Sequence, residues 1–317
     1  LSDDTGTIFN INQNGKINWK KNIYKKIYKK IYKNLVFSIY KDNIYIADNI
    51  GFIYVISLDT GKLLWIKNYN IPLRSNIKIF DNKIYLIDQE NRILCLNIKD
   101  GTKIWDILSI SSFIKSQNLL SLAVSKKGDL VAITSSSDLF KVEGNSGNFS
   151  WVSNTFGSML ADATDFFKSS QVVITDDEVI ISAGPSIFSY NLNIGSITWE
   201  NELSSIGTPI IDGENIFFVT ENGYFVIMNR DTGKIISSTN ILKILKKKKQ
   251  KTKITGFIMG SSKVYSVTLN GYLIVSSAIS GKVENFKKIG NPIISAPIIS
   301  NGKLYILTKN SRIIGFN

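Results

Sequence analysis

Apolar residues along this chain fall in short runs separated by polar turns, and helical spacing is not the dominant pattern. Runs such as Ile44 to Ala47, Ile84 to Ile87, Ile216 to Val219 and Leu304 to Leu307 are rich in Ile, Tyr, Phe and Val, the residues that suit a pleated surface. Each is preceded by an apolar segment and a turn: Lys41 to Asn43, Phe80 to Asn82, Lys127 to Asp129, Asp176 to Glu178, Asp212 to Glu214, Gly260 to Ser262 or Asn301 to Lys303. A second turn carrying Asn or Gly follows (Asp48 to Gly51, Glu221 to Gly223, Leu269 to Gly271), then a third strand such as Phe52 to Ser57 or Tyr224 to Asn229. Asp-Thr-Gly or a similar turn leads to a fourth strand. The predicted unit is a four-stranded antiparallel meander.

The unit repeats. A glycine precedes a tryptophan by four residues at Gly15 and Trp19, Gly61 and Trp65, Gly101 and Trp105, Gly147 and Trp151, and Gly195 and Trp199, which accounts for all 5 tryptophans. Gly233 and Gly281 open two further copies in which Ser237 and Asn285 stand in the tryptophan position. The successive glycine spacings of 46, 40, 46, 48, 38 and 48 residues suit one propeller blade each. A single such sheet cannot bury both faces, so blades stacked about an axis are the expected solution. Trp19, Trp65, Trp105, Trp151 and Trp199 are expected on the outermost strands, filling the gap to the neighbouring blade.

The fold expected is therefore all-β: one β-propeller domain over residues 1–317. Residues 1–20 are read as the back half of a first blade, 35–286 as six complete blades and 296–317 as the last. Because Leu1 to Phe9 aligns with Ile46 to Tyr54, the intact protein is expected to carry eight blades, with its N-terminus upstream of Leu1. This chain would hold seven to eight, the lower count if the strand around Trp19 finishes the last sheet.

Composition narrows the chemistry. With no histidine the usual general base and zinc ligand are missing, and the single cysteine, Cys95, lies in an apolar run and allows no intrachain disulfide. The net charge of +13 raises a nucleic-acid reading, but the lysines are spread over many turns. Such a surface is what an AT-rich genome gives at unconstrained positions. The densest carboxylate run, Asp176 to Glu178, occupies a repeat turn and not a calcium site, and Asp-Thr-Gly at 59–61 and 231–233 is a turn and not a protease motif. No stretch is long and apolar enough to be a membrane-spanning helix.

The phrase from Tyr45 to Trp65 and its later copies resembles the PQQ-like (tryptophan-docking) propeller repeat, and within that group the chain resembles the BamB family of outer-membrane β-barrel assembly lipoproteins. That resemblance implies a non-catalytic scaffold on the periplasmic side of the Gram-negative outer membrane. It would dock the barrel insertase through its periplasmic domains, bind substrate barrels, and carry a signal peptide and lipid anchor upstream of residue 1. A single copy within a complex is expected, with no cofactor, metal or nucleic acid. Two other readings stand beside it: a PQQ-dependent or other periplasmic quinoprotein-type enzyme, and a basic nucleic-acid-binding propeller. The relatives in the enzyme class resemble propellers nearly twice this length with a vicinal Cys-Cys pair, which this sequence lacks.

A propeller without chemistry works by presenting irregular loops on a rigid frame. The longest loop with mixed chemistry is Val152 to Ser170, where Met159, Leu160 and Phe166 lie beside Asp162 and Asp165, a partner-binding candidate if these apolar groups are exposed. From Ile23 to Tyr32, Ile/Tyr and Lys pairs alternate with period four. The run reads either as an amphipathic helix able to lie on an anionic membrane or as low-complexity drift in a connector. Lys246 to Lys253 forms a basic loop.

Overall fold

The computed structural model describes residues 1–28, 30–109, 119–155 and 169–316. Among these the regular secondary structure is almost wholly strand, in antiparallel meanders whose order in each sheet follows the sequence. Six sheets have four strands: Leu35–Asn68, Lys78–Leu108, Leu122–Asn154, Val173–Asn201, Ile210–Asn240 and Ile254–Lys288. Ile8–Ile11 and Ile17–Lys21 form a two-stranded sheet of their own, and Ile298–Phe316 a three-stranded one.

The chain forms two compact units. The first comprises Leu1–Lys168, Ile174–Asp176 and Asn193–Gly195, the second Ser169–Val173, Asp177–Leu192 and Ser196–Asn317. In the first unit the second and third strands of each sheet are buried on both faces, which is why they read as continuous apolar runs without alternation. Alternate residues serve opposite neighbours. Ile44, Ile46, Tyr54 and Ile56 pack with Ile8 and Tyr24, while Tyr45, Ala47, Ile53 and Val55 pack with Ile84, Leu86, Leu94 and Leu96. Tyr85, Ile87, Ile93 and Cys95 then pack with Leu122, Leu130, Ala132 and Phe140. In the second unit Ile180, Ile187, Ile216, Phe218, Phe225, Met228 and Ile274 belong to one core cluster, and Val267, Leu273, Leu304 and Ile306 to another.

A bulge sits at one place in all six complete sheets. The register between third and fourth strands slips at Val55/Ile56, Lys103/Trp105, Lys141/Val142, Ser189/Tyr190, Ile227/Met228 and Val275/Ser276. The extra residue directly precedes the tryptophan position, as Leu64 does before Trp65. A bulge bends its strand and re-aims a side chain. Hydrophobic alternation carries no trace of this.

Among the described residues of the period-four run from Ile23 to Tyr32, the helical structure is a 3-10 turn at Lys26–Tyr28. Tertiary contacts override its periodicity. Buried Tyr24 at the entry bonds Asp48 and Asn34 N at the exit bonds Asn49 Oδ1, fastening both ends to the adjoining blade, so the segment crosses as a strap; buried Lys33 is held from the other side by Asp4 O. The basic loop near 246 is also partly anchored: Ile241, Leu242 and Leu245 are buried and the lysines beyond them start a four-residue helix, Lys247–Gln250.

Candidate partner-binding surface

Two recurring devices hold the frame from which loops project. The first is the indole dock. The Trp19 ring lies so close to Gly61 that a Cβ there would come within 2.8 Å of it. Trp65 lies over Gly101, Trp105 over Gly147, Trp151 over Gly195 and Trp199 over Gly233 in the same manner, at 2.7, 3.0, 2.5 and 2.6 Å. These glycines have φ between 65° and 80°, so they serve both the turn and the close approach. The indole N–H donates to a backbone carbonyl of the same turn: Trp19 to Leu58 (2.9 Å), Trp65 to Ile98 (3.2 Å), Trp105 to Gly144 (3.2 Å) and Trp199 to Arg230 (2.7 Å). Where the sequence has Ser237, its Oγ occupies the place over Gly281. Each glycine thus belongs to the repeat that follows its tryptophan's own.

The second device is the turn between second and third strands. An Asp or Thr begins it and a residue with positive φ ends it three positions later, as Asp3 and Gly6, Asp48 and Gly51, Asp88 and Asn91, Thr134 and Ser137, Thr220 and Gly223, Thr268 and Gly271, and Thr308 and Ser311. Asp48 Oδ1 accepts from the N–H groups of Ile50, Gly51 and Phe52, each at 2.8 Å. Thr268 Oγ1 accepts from Tyr272 N at 2.9 Å in the corresponding place. After three reversals the fourth strand returns to this end of the blade. The connector that follows is tied to the turn: Tyr69, Ser109, Thr155, Ile241 and Ile289 donate to the carbonyls of Gly51, Asn91, Ser137, Gly223 and Gly271. Long connectors and these turns therefore share one end of their blades.

At the first complete blade the connector is the strap. The Tyr24 hydroxyl donates to Asp48 Oδ2 at 2.6 Å, and burial, together with neighbouring Tyr54 and the Asp48 carboxylate, pushes its phenol far above the ordinary tyrosine range. The Tyr24 ring meets Phe52 and Tyr54 edge-on. Lys33 Nζ stands 5.0 Å from the ring centroid and bonds the Tyr28 carbonyl. Sequence reading missed this contact. Its one trace was the recurrence of Asp-x-x-Gly, which marks Asp48 as a turn residue but does not reveal its phenol partner.

Met159, Leu160, Asp162, Asp165 and Phe166 lie outside the described residues. On one side of their loop, Thr155 is held through its N–H and hydroxyl to the Ser137 carbonyl, each at 3.0 Å. On the other, Ser170 N donates to Ser182 O at 2.7 Å. The carboxylates of the 176–178 turn do not converge: Asp176 pairs with Lys126 at 2.5 Å and Glu178 with Arg230 at 2.7 Å. Among the described residues no group of three or more His, Cys, Asp or Glu side chains is placed to hold a metal. A polar cleft of about 400 Å³ lies between Phe80, Lys127, Gly128, Asp129, Glu143 and Asn145. In it Lys141 pairs with Asp129 at 3.1 Å, and Asn145 Oδ1 accepts from Lys83 at 2.5 Å. What these elements offer is a rigid frame with turns and connectors grouped at one end of each blade, an arrangement suited to recognition.

Comparison with known proteins agrees with that geometry. Residues 4–239 match the family described as outer membrane protein assembly factor BamB. The outer membrane protein assembly factor BamB of Moranella endobia is 22% identical over 235 residues, covering 66% of this chain and 58% of the relative. That of Salmonella typhimurium is 22% identical over 251 residues, covering 62% and 63%. The chain thus spans about 60% of the length of these relatives. Among solved structures, BamB from Moraxella catarrhalis superposes with a TM-score of 0.79 at 13% identity, covering 99% of this chain and 92% of that one, which shows a shared β-propeller fold.

Proposed function

This chain belongs to the family of outer membrane protein assembly factor BamB, and from that premise we propose that it is a non-catalytic scaffold of outer-membrane β-barrel assembly. It works on the periplasmic side of the outer membrane as a single copy within a complex, held to the membrane by a lipid anchor. Its partner is the barrel insertase, engaged through the insertase's periplasmic domains, and barrel substrates are a second class of ligand. The observation that carries this reading is the family match over residues 4–239. The repeated Trp-over-Gly dock supports it, because it builds a rigid carrier of loops. The proposed contact is the loop from Val152 to Ser170, with Met159, Leu160 and Phe166 as apolar anchors and Asp162 and Asp165 as the polar rim.

The test is a pull-down from Gram-negative envelope extract with the full-length protein and with a Met159→Ala/Leu160→Ala/Phe166→Ala variant whose fold is checked by circular dichroism. Recovery of the insertase by the wild type and its loss with the folded variant is the expected result. Absence of insertase in the wild-type eluate refutes the assembly role, and undiminished recovery by the variant refutes the loop.

A further inference from the structure

The strap between the two-stranded sheet and the first complete blade has a role that its packing does not account for. Its inward groups are fixed: Tyr24 to Asp48, Tyr28 edge-on to Phe52 at 5.2 Å, Lys33 over Tyr24, and the Tyr32 carbonyl to Asn49 Nδ2 at 3.1 Å. Asn34 N donates to Asn49 Oδ1 at 2.7 Å, so the exit is held as firmly as the entry. Pinned in this way, the strap leaves other side chains in solvent. Ile27 is 73% exposed, Tyr32 68% and Ile31 44%, and Lys25, Lys26 and Lys30 are exposed among them. A connector that merely spans two sheets has no need of three large apolar groups in water.

The charge around these groups is basic apart from one exposed acid, Asp4. From Lys16 to Asn34 the sequence has no acidic residue, and Lys20 in the adjoining strand is exposed as well. Two nearby carboxylates are occupied or buried: Asp3 Oδ1 accepts from Thr5 and Thr7, and Asp48 is 1% exposed. Asp4 is the exposed acid on the adjoining turn, where its carbonyl accepts from Lys33 N. A solvated basic face would place polar residues between its lysines, whereas here isoleucine and tyrosine alternate with them. That combination fits an interface of acyl chains and anionic headgroups. Apolar groups insert at the headgroup boundary, an amphipathic tyrosine sits at that depth, and each lysine gains from the surface potential.

We propose that the described strap residues 25–28 and 30–32 are a membrane-surface contact that lays this protein on a bilayer containing anionic phospholipid. Ile27, Ile31 and Tyr32 insert, while Lys25, Lys26 and Lys30 meet phosphate. The contact is independent of the partner-binding loop. It would set the orientation of the protein at a membrane to which it is otherwise only tethered.

The test is vesicle flotation of the full-length protein, without lipid modification, using phosphatidylcholine vesicles with and without phosphatidylglycerol. Three folded variants accompany it: Lys25→Ala/Lys26→Ala/Lys30→Ala, Ile27→Ser/Tyr32→Ser, and a control, Lys246→Ala/Lys247→Ala/Lys248→Ala, in the other basic run. The wild type is expected to bind only the anionic vesicles. The strap lysine variant should partition about a hundredfold more weakly, and the Ile27/Tyr32 variant at least about tenfold more weakly. The control should stay within about threefold of wild type. An equal loss in the control would reduce the binding to overall charge and overturn the proposal. So would undiminished binding by the Ile27/Tyr32 variant, which would leave only charge attraction and no insertion, and so would failure of the wild type to float with the anionic vesicles.

Discussion

Removing the indole of Trp199 tests the docking device directly. The ring is 8% exposed and covers Gly233 so closely that a Cβ there would meet it at 2.6 Å, and its N–H donates to Arg230 O at 2.7 Å. Arg230 is held a second time through its guanidinium to Glu178 at 2.7 Å, so the turn cannot collapse freely into a vacated space. Truncating a buried Trp to Ala costs about 3–5 kcal/mol, of which the hydrogen bond supplies about 1. Trp199→Ala should therefore lose about 4 kcal/mol, and Trp199→Phe, which keeps most of the ring contact, about 1–2. For a chain of this length the larger loss lowers Tm by about 6 °C. Urea unfolding followed by far-UV circular dichroism is the appropriate assay, because fluorescence would change with the loss of the fluorophore itself. Should Trp199→Ala cost less than about 1.5 kcal/mol, or Trp199→Phe cost as much as Trp199→Ala, the dock is not what holds these repeats together.

Two further expectations concern titratable groups. Asp106, beside Lys103 at 2.7 Å and bonded also to Arg92, is held below the ordinary carboxylate range chiefly by the Lys103 hydrogen bond, against the opposing effect of burial. A depressed folded value gives stability that is present above the unfolded aspartate pKa and is lost as pH falls through the folded one. Asp106→Asn should thus cost about 1 kcal/mol at neutral pH and nothing in strong acid, a convergence readable from paired denaturation curves. Burial pushes the Cys95 thiol up to about 11. At neutral pH a thiol reagent should modify it only at the rate of unfolding, and rapid labelling of the native protein would contradict its placement in the core.

The sequence alone determined the repeat, because its signals are local. A glycine with positive φ is needed wherever the chain reverses before the fourth strand, as at Gly61, Gly101 and Gly147, and buried central strands such as Ile44 to Ala47 must be apolar on both faces. Glycine, tryptophan and apolar runs therefore point to a repeated four-stranded antiparallel meander and an all-β propeller, the architecture found. What required tertiary structure was everything set by distant neighbours. The sequence predicts Trp65 at the gap to a neighbouring blade but cannot say that its ring closes on Gly101, or that a bulge at Leu64 accompanies it. Nor can it say that the Ile/Tyr/Lys run abandons helical periodicity because Tyr24 finds Asp48, 24 residues away in sequence. A period of four records only what a segment could do in isolation. The strap took its shape from the buried hydrogen bond and aromatic contacts at its ends, and those exist only once the first complete blade has folded.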